Sequence, residues 1–233
     1  MERLSVTDGL VRGLVDEVAP LVAEATQWGL AVESLAVRVL PRDRGYEEVV
    51  LGRLRGVGID VEDEHPRGII ERLIEYVVEG NVLAAYEPST SHLLVVRENV
   101  DDSNLDGLRL VVGHELVHRG QHINHGELFG RVDRAIRDIF RRMDEEALSF
   151  REMLALLDEI TPVMALLESH AAYVQELLRE THFPHAVIES HFSLPALLLR
   201  LFGRRKLTQY REALPEVQAA VQSGKVDDLY RSV

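Results

Sequence analysis

The sequence predicts a mainly α-helical protein of the α+β class, with a small β-sheet or hairpin just ahead of a central helix and a helical C-terminal half. Two observations support this prediction: apolar residues recur at helical spacing through most of the chain, and two short β-type runs flank a turn before the central helix. No low-complexity linker divides the 233 residues, a length that suits one well-buried core. We therefore expect a single domain over 1–233, made of N-terminal helices and a strand (1–80), the hairpin and central helix (81–125) and a helical part (126–233).

The N-terminal part begins with a helix predicted over 5–28. Ser5 and Asp8 are placed like a capping box at its start, and Pro20 should kink this helix or split it in two. Three further elements follow from periodicity and composition. They are a strand over 33–40 that stops at Pro41, a short helix from 46 that ends at Gly56 and Gly58, and a helix over 66–79.

The middle of the chain changes from helical to strand periodicity and back. Residues 82–87 and 92–97 are two β-type runs around the turn at 88–91, which predicts a hairpin. Ser103 and Asp106 fit a capping box for the central helix, which should run to about 124.

Everything beyond Gly126 has helical periodicity. Thr161 and Pro162 fit an N-cap followed by proline at the first helical position, which predicts that a helix starts there. The predicted helices cover 127–143, 145–160, 162–181, 186–202 and 204–222.

The composition excludes several classes of partner and of site. The net charge is −13, which would repel a phosphate backbone, so no nucleic-acid partner is expected. There are no cysteines, which removes thiolate metal ligands and disulfides and suits a cytoplasmic location. The N-terminus does not resemble a signal peptide and no apolar run approaches the roughly 20 residues of a membrane span, so no membrane association is expected.

Residues 114–118 read His-Glu-Leu-Val-His, an H-E-x-x-H motif inside the predicted central helix. Four helical residues turn through about 400°, so the imidazoles of His114 and His118 project from one face and can meet one metal ion. Glu115 lies about 100° round the helix, near enough to take a proton from a water bound to zinc. The motif therefore predicts a catalytic Zn²⁺ site with Glu115 as the general base. The alternative is a partly exposed helix whose histidines are solvated or hydrogen-bonded.

A catalytic zinc site needs a third protein ligand. His122 continues the series on the same helix, but its imidazole would lie roughly 12 Å along the axis from that of His114. Glu168 is the better candidate, because it is an acid among small residues on an otherwise apolar helix face, where an unpaired buried carboxylate is costly. The alternative places Glu168 on a polar face, paired with an arginine.

Two segments carry a resemblance to a known family. Residues 113–118 (Gly-His-Glu-Leu-Val-His) and 167–171 (Leu-Glu-Ser-His-Ala) resemble the gluzincin branch of zinc metallopeptidases. They resemble more closely a family of zincin-like hydrolases that is linked to deazaflavin-coenzyme biosynthesis. The segment 201–211 is also similar to that family's C-terminal region, and the likeness covers residues 80–215.

This resemblance implies a zincin-like domain in which His114, His118 and Glu168 bind zinc and Glu115 is the catalytic base. The chain departs from the thermolysin-type pattern at Ala172, where that pattern has an acid four positions after the third ligand. The carboxylate that would orient a ligand histidine must therefore come from elsewhere in the chain.

A hydrolase of this type also needs a donor that stabilises the oxyanion. Tyr173, His170 and His122 are the candidates near the motifs, and each has an alternative interpretation as a core or surface residue. Three further histidines lie close together in the sequence: His182, His185 and His191. Their segment is interpreted as a turn between helices rather than as a second metal site.

The function predicted from these residues is zinc-dependent hydrolysis by a metallopeptidase that acts on a peptide or small amide substrate. The strand at 92–97 should bind an extended peptide by its backbone edge. One alternative is a zinc-binding zincin-fold module without proteolytic activity, and another is a hydrolase of a non-peptide substrate. Glu115 favours hydrolysis, because a purely structural site needs no base beside its ligands.

Overall fold

The computed structural model describes residues 5–59, 82–100, 103–144, 149–187 and 206–233. These residues form a mainly helical fold with a small three-stranded sheet, which confirms the predicted fold class. No helix in this part of the chain is long and apolar enough to cross a membrane. The α-helices are α1 (Asp8–Thr26), α2 (Gly52–Gly56), α3 (Leu105–Asn124), α4 (Gly126–Asp144), α5 (Phe150–Thr181), α6 (Lys206–Gln222) and α7 (Val226–Arg231).

The N-cap of helix α1 lies two residues later than predicted. The N-cap is Thr7, whose Oγ1 accepts a hydrogen bond from the Leu10 N–H at 3.2 Å, so the capping box predicted at Ser5 is wrong. Pro20 does not split the helix. Its ring lies on the exposed face, while residues on the opposite face such as Val18 are buried and hold the helix against the core.

The sheet contains β1 (Ala36–Leu40), β2 (Ala84–Glu87) and β3 (His92–Val96) in the order β1-β3-β2. Strands β2 and β3 form the predicted antiparallel hairpin, and β1 pairs in parallel with the other side of β3. Strand β1 is shorter than predicted because Val32–Ser34 forms a 3-10 turn. Since both edges of β3 are paired, the prediction that 92–97 offers its edge to a peptide is wrong.

Helix α3 occupies the centre of the molecule. Its N-cap is Asn104, whose side-chain oxygen accepts from the Gly107 N–H at 2.8 Å, so the capping box predicted at Ser103 is one residue out. Every residue from Leu110 to Gln121 is buried, because α1, α5 and β2 all pack against this helix. The polar side chains in this span must therefore find their partners inside the protein.

Helix α5 runs without interruption through Pro162, so the two helices predicted over 145–160 and 162–181 are one. Pro162 lies on the exposed face, where it interrupts the hydrogen-bond ladder on the solvent side. The residues that follow it, 163–170, are all buried. Their contact with the core outweighs the helix-breaking tendency of proline that suggested a start at this position.

The other helical predictions divide into three groups. Helices α4 and α6 and the short helix that ends at Gly56 agree with prediction within two residues, and α7 was not predicted. The helix predicted over 66–79 lies outside the described residues. The helix predicted over 186–202 lies outside them too, apart from its first two residues, which are not helical.

Candidate metal centre

Helix α3 presents His114 and His118 on one face, as their spacing predicts. Their Nε2 atoms lie 3.2 Å apart, and the two residues are 4% and 8% exposed. Two ring nitrogens this close would repel each other through their lone pairs, so the separation calls for a proton or a metal ion between them.

Helix α5 adds Glu168 to the histidine pair. Its Oε1 lies 3.3 Å from Nε2 of His118, and its Oε2 lies 3.7 Å from Nε2 of His114. Glu168 is 2% exposed. Ligand atoms of the three side chains all lie within 4.8 Å of one another, so these residues could hold a metal ion.

The separations between these ligand atoms fit a small cation. A tetrahedral zinc ion with bonds of about 2.0–2.2 Å holds neighbouring nitrogen and oxygen ligands about 3.3–3.5 Å apart. The two shorter separations in the cluster, 3.2 and 3.3 Å, agree with this spacing, and the third is slightly longer. The described residues thus supply three ligands, the number typical of catalytic rather than structural zinc sites.

Without a metal the cluster is a buried ion pair. Burial alone would lower the pKa of His118, but the Glu168 carboxylate outweighs this effect and raises that pKa to about 9. The same pair holds the pKa of Glu168 well below its ordinary value, because the neighbouring imidazoles outweigh the opposing effect of burial. Below about pH 9, His118 therefore carries a proton in the position where a metal would bind.

Zinc affinity should accordingly depend on pH. The pKa of His118 is raised from 6.5, so its protonation stabilises the metal-free fold below about pH 6.5, and this stabilisation is lost as the pH rises through about 9. Zinc must displace that proton, so its affinity should rise roughly tenfold per pH unit between pH 7 and 9 and then level off. Competition with a chelator at stepped pH measures this, and a flat profile would show that His118 is not protonated.

Gln121 orients His118 from the side away from the metal position. Its Nε2 donates to the carbonyl of Leu167 and to the hydroxyl of Tyr230, both at 2.8 Å. Its Oε1 therefore faces His118 and accepts from Nδ1–H at 2.7 Å, which leaves Nε2 of His118 with the lone pair that a metal ligand needs. Sequence reasoning missed Gln121, although its position three residues after His118, on the same helix face, was the available signal.

The Gln121→Met substitution should weaken zinc binding roughly 10- to 100-fold, because it removes the acceptor that orients His118. Gln121→Glu keeps that acceptor and should retain affinity. Competition with a chromogenic chelator measures both variants. Gln175→Met is the matched control, since Gln175 is a buried glutamine of α5 that instead donates to the Leu110 carbonyl. Equal zinc affinity for Gln121→Met and Gln175→Met would contradict the orienting role.

Glu115 faces the edge strand β2. Its Oε2 accepts a hydrogen bond from the Tyr86 N–H at 2.8 Å, and the residue is 2% exposed. This bond holds the carboxylate against the edge of the sheet, on the same cavity wall as His118 and Glu168. The structure thus brings the expected base and two of the expected ligands to one surface.

That cavity, together with the solvent-filled space at its mouth, spans about 820 Å³. It is bounded by the π-helical turn Tyr46–Leu51, by α2, β2 and β3, and by helices α3, α4 and α5. A substrate that entered it would reach Glu115, His118 and Glu168 directly.

His170 and Tyr173 do not line this cavity. His170 is fully buried, and its Nδ1 is hydrogen-bonded at 3.0 Å to the same Tyr230 hydroxyl that Gln121 contacts. Burial lowers the pKa of His170 to about 3, helped by the nearby His118, so its imidazole is neutral. Tyr173 packs partly buried in the helical core. Their predicted role as oxyanion donors gains no support from these positions and stays a prediction.

His122 also lies apart from the cluster. Its Nδ1 is 2.9 Å from the hydroxyl of Tyr86, and its ring packs against Phe129 with centroids 5.3 Å apart. The structure therefore brings Glu168, and not His122, to the histidine pair. His182 and His185 are exposed in the turn after α5, and His191 lies outside the described residues.

Comparison of the chain with protein-family models gives no match. Searches of the curated proteins and of the solved structures give no match either. The resemblance to zincin-like hydrolases thus rests on the sequence segments alone, and the function has to be inferred from the site itself.

Proposed function

We propose that this protein is a zinc-dependent hydrolase of peptide or small amide bonds, with zinc held by His114, His118 and Glu168 and with Glu115 as general base. The observation that supports it is the buried convergence of three metal-ligand side chains, two of which (His118 and Glu168) line a cavity that Glu115 also lines. A carboxylate beside the ligands, facing the same space, is what hydrolysis needs and what metal storage does not.

The residues divide the chemistry between them. Zinc bound at this site would polarise a carbonyl and lower the pKa of a water ligand to about 7. Glu115, held by its bond to the Tyr86 N–H, would accept a proton from that water and return it to the leaving amine. Burial of the ligands excludes bulk water and strengthens every charge interaction in the site.

The donor set and the spacing of its residues together favour zinc. Two imidazoles and one carboxylate are poor ligands for Ca²⁺ and Mg²⁺, which take oxygen donors. The same set also suits Fe(II). Zinc is favoured here because the two histidines are separated by one helical turn with a carboxylate directly after the first, the arrangement used for hydrolysis.

The test is metal analysis combined with assays of hydrolysis. Purified protein should contain about one zinc per chain and should cleave members of a random peptide library, scored by mass spectrometry. Cleavage should stop after treatment with 1,10-phenanthroline and return when zinc is added back. A full complement of zinc with no cleavage of any peptide or amide would identify a zinc-binding module instead, and iron in place of zinc would overturn the proposal.

A further inference from the structure

The wall of the cavity beside the metal centre is mainly apolar. Its apolar side chains come from five separate elements, so the surface is a property of the fold and not of one helix. Helices α4 and α5 contribute Phe129, Val132, Ile136, Met164 and Leu167. Such a surface favours ligands that bring apolar area out of water.

Away from the metal centre, the charged groups of the described lining residues leave no cation for an anionic ligand. Among the described lining residues the arginine is Arg53, whose guanidinium bonds to Glu87 at 3.3 Å and also to Asp133. Arg53 is thus already neutralised by two carboxylates. Glu115 and Glu168 add further carboxylates to the same lining. Away from the metal centre, a carboxylate or phosphate in this space would lose its hydration without gaining a positive partner.

We propose that the substrate carries an uncharged apolar group, such as an aliphatic or aromatic side chain or a short acyl chain, next to the bond that is cleaved, and that this group fills the cavity. The proposal rests on the proposed function, because it takes the metal centre to be the place where the bond is cleaved. It excludes substrates with a carboxylate or a phosphate at that position.

Hydroxamates test the proposal, because they bind zinc through their two oxygens and differ in the group attached. Titration calorimetry on the zinc-loaded protein would compare acetohydroxamate, hexanohydroxamate and the anionic succinic monohydroxamate. Each buried methylene should improve affinity roughly fourfold. Hexanohydroxamate, with four more methylenes than acetohydroxamate, should therefore bind on the order of 100-fold more tightly, and the succinic compound should bind no more tightly than acetohydroxamate.

A substitution in the cavity wall tests whether the alkyl chain of hexanohydroxamate lies in the cavity. Val132→Phe fills part of the cavity and should remove most of the advantage of hexanohydroxamate while leaving acetohydroxamate affinity unchanged. Val221→Phe is the matched control, because Val221 packs against the same hydrophobic cluster but does not line the cavity. Met164→Phe serves as a second wall variant if Val132→Phe does not fold, as judged by circular dichroism.

The outcomes separate this proposal from the proposed function. If all three hydroxamates bind equally well, or the succinic one binds best, the apolar preference is wrong, although the metal centre still accepts a ligand. If none binds the zinc-loaded protein, the proposed function is wrong. The cavity is then tested without metal through the methyl resonance of Met164, which hexanamide should shift and succinamate should not. No shift with hexanamide would overturn the apolar preference as well.

Discussion

Replacing His114 and His118 together with alanine should abolish zinc binding. One ligand of three would remain, and affinity should fall on the order of a thousandfold or more. Elemental analysis after dialysis and competition with a chelator measure the loss. Glu168→Gln should give a smaller loss, because a neutral amide oxygen replaces a charged ligand while the shape of the side chain is kept.

The fold of the double variant needs its own control. Removing His118 takes away the imidazolium that neutralises Glu168, and breaking a buried ion pair from one side costs about 3–5 kcal/mol of unfolding free energy. A triple variant that adds Glu168→Gln removes that charge and should recover part of the stability. His122→Ala is the matched control for metal binding, since His122 lies on the same helix outside the cluster. Full zinc retention in the double variant would contradict the ligand assignment.

The histidine pair of the site could be predicted from the sequence because both residues lie on one helix. The spacing of His114 and His118 sets their directions whatever surrounds the helix, because helical geometry is local. Glu168 was predicted from the cost of burying an unpaired acid among small residues. That argument held although the predicted start of α5 was wrong, because it depended on the burial of residues 163–170 and not on where the helix begins.

The parts that could not be predicted depend on contacts between distant segments. Gln121 reaches Tyr230, 109 residues further along the chain, and no periodicity signals that pairing. The buried Arg119 likewise donates to the carbonyls of Leu30 and Ala31. Strand order shows the same principle. Alternation of side chains predicts that 92–97 is a strand, but not that β1 pairs with it and closes its second edge.

The Glu115→Gln substitution should lower kcat roughly 100- to 10,000-fold, because the amide cannot accept the proton that a general base removes. Zinc affinity should change little, since Glu115 is not one of the three grouped ligands. Measuring kcat on a cleaved peptide together with zinc content separates catalysis from metal binding. Glu127→Gln, at an exposed glutamate of α4, is the control and should keep full activity.

A second substitution separates proton transfer from positioning. The amide of Glu115→Gln can still accept the hydrogen bond from the Tyr86 N–H, whereas Glu115→Asp keeps a carboxylate but withdraws it by one methylene from that N–H. If Glu115 is the base, activity should follow the order wild type, then Asp, then Gln. If it serves only to fix α3 against β2, the order of the two variants should reverse, because the glutamine preserves the bond that the aspartate loses. The reversed order would remove Glu115 from the mechanism while leaving the metal ligands in place.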